Sequence, residues 1–199
     1  MVIRQMLPGD AGVVAEAHLA SFPGFFLSSL GPSFLAQYYR ALCQFPRGIA
    51  YVYLDERERP AGFVAGTADP SGFYSSLLRR YWLRFGLASF SAVMRNPAAA
   101  LRLLRAVRLP SSAPAGERIA GLFSLGVRPD MQGKGAGGML VKAFLSEARR
   151  RGSRSVFLTT DRDNNQAVNE FYRKCGFKVG RQYTTPEGRR MNEYWIELT

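Results

Sequence analysis

The spacing of apolar and polar positions changes several times along the chain, and each change marks an element. Residues 2–7 (V-I-R-Q-M-L) predict a short strand. Pro8-Gly9-Asp10 closes it as a turn, with Asp10 as a helix cap. Residues 11–21 predict a helix, and 22–31, aromatic and punctuated by Gly and Pro, a loop. Pro32 opens a second helix, with Phe34, Leu35, Tyr38, Tyr39 and Leu42 at helical spacing. Residues 49–54 and 62–67 predict two strands, and the polar run Asp55 to Pro60 joins them as a hairpin.

From Phe73 the apolar positions recur at i, i+3, i+4, i+7 and i+8: Phe73/Tyr74, Leu77, Leu78, Tyr81, Trp82 and Phe85. This predicts a helix with one wide apolar face. Asn96-Pro97 then caps another helix, with Leu101, Leu104 and Val107 near one side and Arg102, Arg105 and Arg108 as a stripe. Ser111 to Gly116 is a linker. Residues 70–116 thus predict a helical insertion within one domain spanning 1–199. Beyond it come a strand over 117–127, a Gly-rich turn, a helix over about 137–151 and a strand over 155–160. A helix over about 166–174 follows, ended by Gly176, where a strand starts. Pro186 to Gly188 turns the chain, and 191–198 alternates as a final strand. The order is that of an α/β protein with a mixed sheet.

Composition narrows the function. The chain has 199 residues, 47% of them hydrophobic, enough for a sizeable core. Its net charge is +12, but 23 of the 27 basic residues are Arg, a skew that coding bias also produces. Placement says more than the total: the insertion holds seven Arg and no Asp or Glu. No apolar run approaches the roughly 18–20 residues of a membrane span. Met1 to Gly9 lacks the apolar core of a signal peptide, so the expected location is the cytoplasm. Two cysteines and one histidine argue against a disulfide framework or a Cys/His zinc site, and no metal is expected. A His-based triad would have only His18, and no G-x-S-x-G elbow accompanies it.

The sharpest segment is V-R-P-D-M-Q-G-K-G-A-G-G, residues 127–138, where a strand runs into a turn with four glycines in six residues. Glycines let a backbone approach a ligand closely. The first N–H groups of a helix have no internal partner and face an anion with the helix dipole behind them. Lys134 adds a positive charge and Gln132 a side-chain donor. The segment reads as a phosphate or pyrophosphate cradle, or, more plainly, as a surface turn. Gly133, Gly135 and Gly138 also satisfy the dinucleotide pattern G-x-G-x-x-G. Five residues separate Val127 from the first of these glycines, and only 61 follow Gly138, and both count against a full dinucleotide fold. The NTPase loop G-x-x-x-x-G-K-[ST] is absent.

A second segment, D-R-D-N-N-Q-A-V-N-E-F-Y-R-K-C-G-F over 161–177, offers Asn164 or Asn165 as a helix cap and Tyr172 four residues before Gly176. Together the two segments resemble the GCN5-related N-acetyltransferase (GNAT) superfamily. V-R-P-D-M-Q-G-K-G-A-G matches that family's V-x-P-x-x-[QR]-G-x-G-x-[GA] coenzyme A loop. N-Q-A-V-N-E-F-Y-R-K-C-G-F is similar to its N-x-x-A-x-x-x-Y-x-x-x-G-F segment, with Val168 where Ala is usual. The resemblance covers roughly 1–67 and 117–199 and leaves the insertion outside the common core. It implies a mixed, mostly antiparallel central sheet flanked by helices.

It also implies roles. The backbone of Leu125, Gly126 and Val127 would pair with the pantetheine arm of acetyl-CoA like an added strand. A splay after Leu125 would let a backbone N–H polarise the thioester carbonyl. Gln132, Gly133, Lys134, Gly135, Ala136, Gly137 and Gly138 would hold the pyrophosphate. Asn165 would contact the coenzyme, and Tyr172 would stand near the thiolate as general acid. Direct attack by an amine needs no protein nucleophile, only register between reactants, oxyanion stabilisation and proton management. The base is open: Ile119 to Leu125 has no carboxylate, leaving Glu117, His18, Ser124 through a water, Glu193 or a water chain.

The expected acceptor is a small-molecule amine or amino sugar, bound by residues 18–34 and the insertion. Phe22, Phe25, Phe26 and Phe34 there read as core packing before ligand stacking. The insertion either faces water with its Arg or touches an anionic partner or membrane surface. No nucleic-acid motif is present, so nucleic acid is not expected. The loop does not read the acyl chain, so another acyl-CoA donor stays open. A non-catalytic binding module using the insert stays open as well. The terminal strands could pair within one chain or between two, which leaves a homodimer open.

Overall fold

The computed structural model describes residues 2–95, 118–186 and 188–198. The second insertion helix, its Arg stripe, the linker and Glu117 lie outside the described residues. The elements are β1 (Val2–Gln5), α1 (Ala11–Ser21), α2 (Phe26–Ser29), α3 (Gly31–Gln44), β2 (Gly48–Leu54), β3 (Pro60–Thr67), α4 (Phe73–Arg95), β4 (Ile119–Val127), α5 (Ala136–Arg150), β5 (Ser155–Asp161), α6 (Gln166–Lys174), β6 (Lys178–Thr184) and β7 (Arg190–Glu197). Short 3-10 turns at Pro8–Asp10 and Pro129–Met131 precede α1 and α5.

The seven strands form one sheet in the order β1-β2-β3-β4-β5-β7-β6. Every neighbouring pair is antiparallel except β4 with β5. Two apolar clusters sit on opposite faces. One joins α1, α3 and the start of α4 to Val52, Phe63 and Ala65. The other joins α5 and α6 to Tyr53, Val64, Leu122, Val156 and Tyr194. Leu140, Val141, Phe144 and Ala148 supply the buried stripe of α5. Burying each large side chain contributes about 1.5–3 kcal/mol.

Several expectations are corrected. The 22–31 stretch holds a single helical turn, α2, rather than only loop. Asp10 does not cap α1: its carboxylate accepts from Arg4 at 2.6 and 2.9 Å and from Leu7 N–H at 2.8 Å, tying β1 to the turn. The apolar face of α4 is interrupted. Phe73, Leu77 and Phe85 are buried, but Trp82 is 65% exposed, because Tyr81 has non-helical backbone angles (φ −121°, ψ 23°) and breaks the stripe. β7 does not alternate. Met191 to Tyr194 are all buried, since this strand lies between β5 and β6. β6, the edge, is largely exposed and carries Lys178 and Arg181, a common defence of an open edge. Among the described residues, no helix is long and apolar enough to cross a membrane.

Candidate active site

The middle of the sheet has an opening. β4 pairs with β3 along almost its whole length, from Gly62 opposite Val127 to Thr67 opposite Gly121. With β5 it pairs only over Ile119–Gly121, opposite Ser155–Phe157. The two parallel strands therefore part after Gly121, four residues earlier than the splay expected after Leu125. From Leu122 to Val127 the outer edge of β4 has no β5 partner, an arrangement that accepts an extended chain as an added strand. A bulge places Ser124 opposite Ala65 and Leu122 opposite Gly66, so Phe123 is the extra residue. Bulges re-aim side chains, and here the Phe123 ring meets Phe73 and Tyr74 at 5.3 and 5.4 Å.

The glycine loop follows at the open end. Gly133 and Gly135 adopt φ of 75° and 80°, which L side chains rarely take, and Gly135 is the residue before α5. No protein atom lies within 4 Å of where a Cβ would stand on Gly133, Gly135 or Gly138. The α5 N-terminus thus offers backbone N–H groups to an open space, as an anion cradle requires. Gly137 faces inward instead: a Cβ there would meet the Phe171 ring at 3.2 Å. Ala136 is buried.

Side chains expected to hold the ligand partly hold the loop. Gln132 Nε2 donates to Val127 O at 3.0 Å, closing the turn onto β4. Lys134 Nζ lies 3.7 Å from Met131 Sδ and is exposed. Arg128, not singled out in the sequence, donates to Asp130 at 2.7 and 2.8 Å and to Asp55 of the β2–β3 hairpin at 3.4 Å. A cleft of about 280 Å³ lies beside this bridge, lined by Asp55, Arg57, Arg59, Arg128 and Lys134 among others.

The second segment packs against the first through Phe171 and Gly137. Asn165 stands at the N-cap position of α6, but its side chain makes no cap bond. It donates to Thr160 Oγ1 at 2.8 Å and Asp161 O at 3.1 Å, holding α6 to the end of β5. Asn164 takes φ 52° in the preceding turn. Beneath them Asn169 accepts from Asn192 and Tyr194 at 2.7 and 2.9 Å, a buried polar knot linking α6 to β7. Gly176, at φ 93°, ends the helix as its sequence implied, and Phe177 N–H returns to Tyr172 O at 3.1 Å.

Tyr172 is buried against Phe171, Phe177 and Tyr194. Its hydroxyl has no hydrogen-bond partner among the described residues. Burial, and then Cys175, raise its pKa, so the phenol keeps its hydrogen and is a donor.

The base candidates separate. Glu193 is buried and committed, accepting from Arg181 at 3.0 Å and Trp195 Nε1 at 2.9 Å. His18 and Ser124 are both buried on the α1–α3 side of β4, and His18 meets Tyr39, which the sequence marks only as a packing residue. His18 Nδ1 is 2.6 Å from Tyr39 Oη. Burial lowers the His18 pKa to about 4, so the imidazole is neutral near pH 7.

An opened parallel pair beside a glycine-rich helix N-terminus offers one ligand a free strand edge and an anion cradle together. The chain belongs to the acetyltransferase (GNAT) family, whose model matches residues 15–177. A curated relative, a mycothiol acetyltransferase of Cellulomonas flavigena, is 43% identical over 68 residues, 34% of this chain and 19% of that protein. The chain thus matches about a fifth of the length of that relative. An aminoglycoside 6′-N-acetyltransferase solved with coenzyme A superposes over 100% of this chain and 98% of its own, with TM-score 0.64 and 14% identity. The ribosomal-protein-S18-alanine N-acetyltransferase of Escherichia coli does so over 100% and 94%, with TM-score 0.59 and 15% identity. These two likenesses concern the fold.

Proposed function

We propose that the protein is an N-acetyltransferase that moves the acetyl group of acetyl-CoA to a primary amine by direct attack within a ternary complex. The observation that carries this reading is the pairing of β4, released from β5 after Gly121, with the open, glycine-lined start of α5. In this reading the pantetheine arm lies along Leu125, Gly126 and Val127. Its amides and carbonyl groups replace the missing β5 partners. The pyrophosphate rests on the N–H groups from Gly133 to Gly138, with Lys134 free to swing toward it. Gln132 acts by shaping the turn, and Asn165 by placing α6, with its Oδ1 left for the coenzyme.

The amine nitrogen attacks the thioester carbon and forms a tetrahedral oxyanion, which a β4 backbone N–H stabilises. The carbon–sulfur bond then breaks, the acetyl group stays on nitrogen, and the thiolate leaves with the coenzyme. Tyr172 donates to that thiolate, a role its raised pKa suits as a hydrogen-bond donor at rest. The nitrogen gives up its proton to solvent.

The test is release of free coenzyme A thiol from acetyl-CoA, with kanamycin, glucosamine and a peptide bearing N-terminal alanine as acceptors. Amine-dependent thiol release with a matching acetylated product is expected from at least one. Thiol release that no amine accelerates, with no acetylated product, contradicts the reading.

A further inference from the structure

The helix α4 commits only one side to the core. Phe73, Leu77 and Phe85 are buried. The Phe85 ring lies 5.1 Å from Phe34 of α3, and Phe73 and Tyr74 meet Phe123 of β4. The outer side is mixed. Trp82 is 65% and Leu83 60% exposed, side by side in the chain, and Arg79, Arg80 and Arg84 stand exposed on either side of them. The break at Tyr81 turns Trp82 out of the apolar stripe that an unbroken helix would bury. A single exposed apolar residue is ordinary, but an adjacent Trp and Leu ringed by cations form a patch.

Charge sharpens this face. Arg79, Arg80 and Arg84 reach no carboxylate among the described residues, whereas Arg4, Arg128, Arg151 and Arg189 each do. Arg80 and Arg84 flank one ring, each 5.9 Å from the Tyr81 centroid, which concentrates their charge. Residues 70–116 contain no Asp or Glu to offset it. A cationic face that also presents Trp and Leu fits a partner with an anionic surface over an apolar interior. An anionic phospholipid bilayer has both. Indole rings favour the headgroup level, and a leucine enters the acyl boundary below it. The long Arg stems keep their guanidinium groups at the lipid phosphates. A nucleic acid would pair with the Arg and stack on Trp82, but it has nothing for Leu83. The helix would lie on the bilayer, since it is not apolar enough to cross one.

We propose that the outer face of α4, formed by Arg79, Arg80, Trp82, Leu83 and Arg84, docks the protein on an anionic phospholipid bilayer, with Trp82 and Leu83 in the headgroup–acyl boundary. The proposal stands apart from the acetyl-transfer reading. Co-sedimentation of the full chain with sucrose-loaded vesicles tests it. Phosphatidylcholine vesicles with about a quarter phosphatidylserine should bind wild type about 100-fold more tightly than phosphatidylcholine alone, as three cations near an anionic surface require. Arg79→Gln/Arg80→Gln/Arg84→Gln should lose most of that preference. Trp82→Ser/Leu83→Ser should bind the mixed vesicles about tenfold or more weakly, although all its charges remain. A readout on the unmodified protein stands beside the variants. Trp195 is the only other tryptophan, so brominated acyl chains should quench wild-type emission and leave that of Trp82→Phe unquenched. Equal binding to both kinds of vesicle, wild-type affinity in Trp82→Ser/Leu83→Ser, or no quenching in bound wild type overturns the proposal. So does binding of a single-stranded RNA oligonucleotide without binding of vesicles, which would make the partner a nucleic acid.

Discussion

The two sides of β4 are built in opposite ways. On the side proposed for the coenzyme the groups on offer are backbone: an unpaired strand edge, two glycines with positive φ and the N-terminus of α5. On the other side the buried polar groups are side chains, with His18 of α1 and Tyr39 of α3, 21 residues apart in sequence, meeting at 2.6 Å. Backbone sites tolerate change in side-chain identity but not added bulk or charge. Side-chain sites respond to the loss of a single atom. The contrast sets the order of the predictions.

The largest effect belongs to Gly138→Glu. Gly138 is the third residue of α5, its Cβ would meet no protein atom, and an acidic residue at that position suits a helix N-terminus. The thermal midpoint should hold or rise slightly, while acetyl-CoA affinity falls by about 100-fold or more as the carboxylate opposes the phosphates. Wild-type affinity in this variant would break the backbone side of the comparison.

Tyr172→Phe comes next. Turnover should fall by about 10- to 100-fold with acetyl-CoA binding retained, since one hydrogen-bond donor is lost and the ring packing stays. Single-turnover and binding measurements on the same sample check it, and full turnover would remove Tyr172 from the reaction.

The third effect is on stability, on the side-chain side. His18 has its folded pKa lowered to about 4 from 6.5 by burial. Between those values the unfolded chain binds the extra proton, so stability falls as pH drops from about 6.5 and the loss is complete near pH 4. That loss approaches about 3 kcal/mol. Denaturant titrations from pH 7 to 4 should show the slope in wild type and a shallower one in His18→Asn. Equal slopes would show that burial does not control this imidazole.

The smallest effect is at Glu147 of α5, whose carboxylate accepts from Arg150 and Arg151, while Arg151 also donates to Pro46 O. Arg150 first, against desolvation, and then Arg151 hold its pKa at about 2, below the usual 4.5 of a glutamate. The contribution is present above about pH 4.5 and lost as pH falls toward 2. Glu147→Gln should cost about 1 kcal/mol or less at pH 7, read as a small drop in thermal midpoint, with no change in acetyl-CoA affinity.

The same contrast explains what could be read from the sequence. The loop and both flanking helices were legible because their punctuation is local. Gly135 precedes α5 and Gly176 follows α6 within a residue or two of where spacing put them. The parting of β4 from β5 was legible only through family resemblance, and its position was late, because strand pairing depends on register against a partner 35 or so residues away. Residue type marks Asp10, and Asn164 or Asn165, as caps, but Asp10 accepts from Arg4, six residues away, and Asn165 donates to Thr160, five away. Spacing puts Trp82 on a buried face because it assumes an unbroken helix, and Tyr81 breaks it. Tyr39 could not be distinguished from its packing neighbour Tyr38, since nothing local shows that a hydroxyl will meet His18.

The central claim is that acetyl-CoA is held by the backbone between Leu125 and Gly138, and isothermal titration tests it most directly. Acetyl-CoA should bind wild type with a 1:1 stoichiometry and a Kd in the micromolar range, and Gly138→Glu should abolish the heat without lowering the thermal midpoint. No binding by wild type, or equal binding by the variant, would contradict the account.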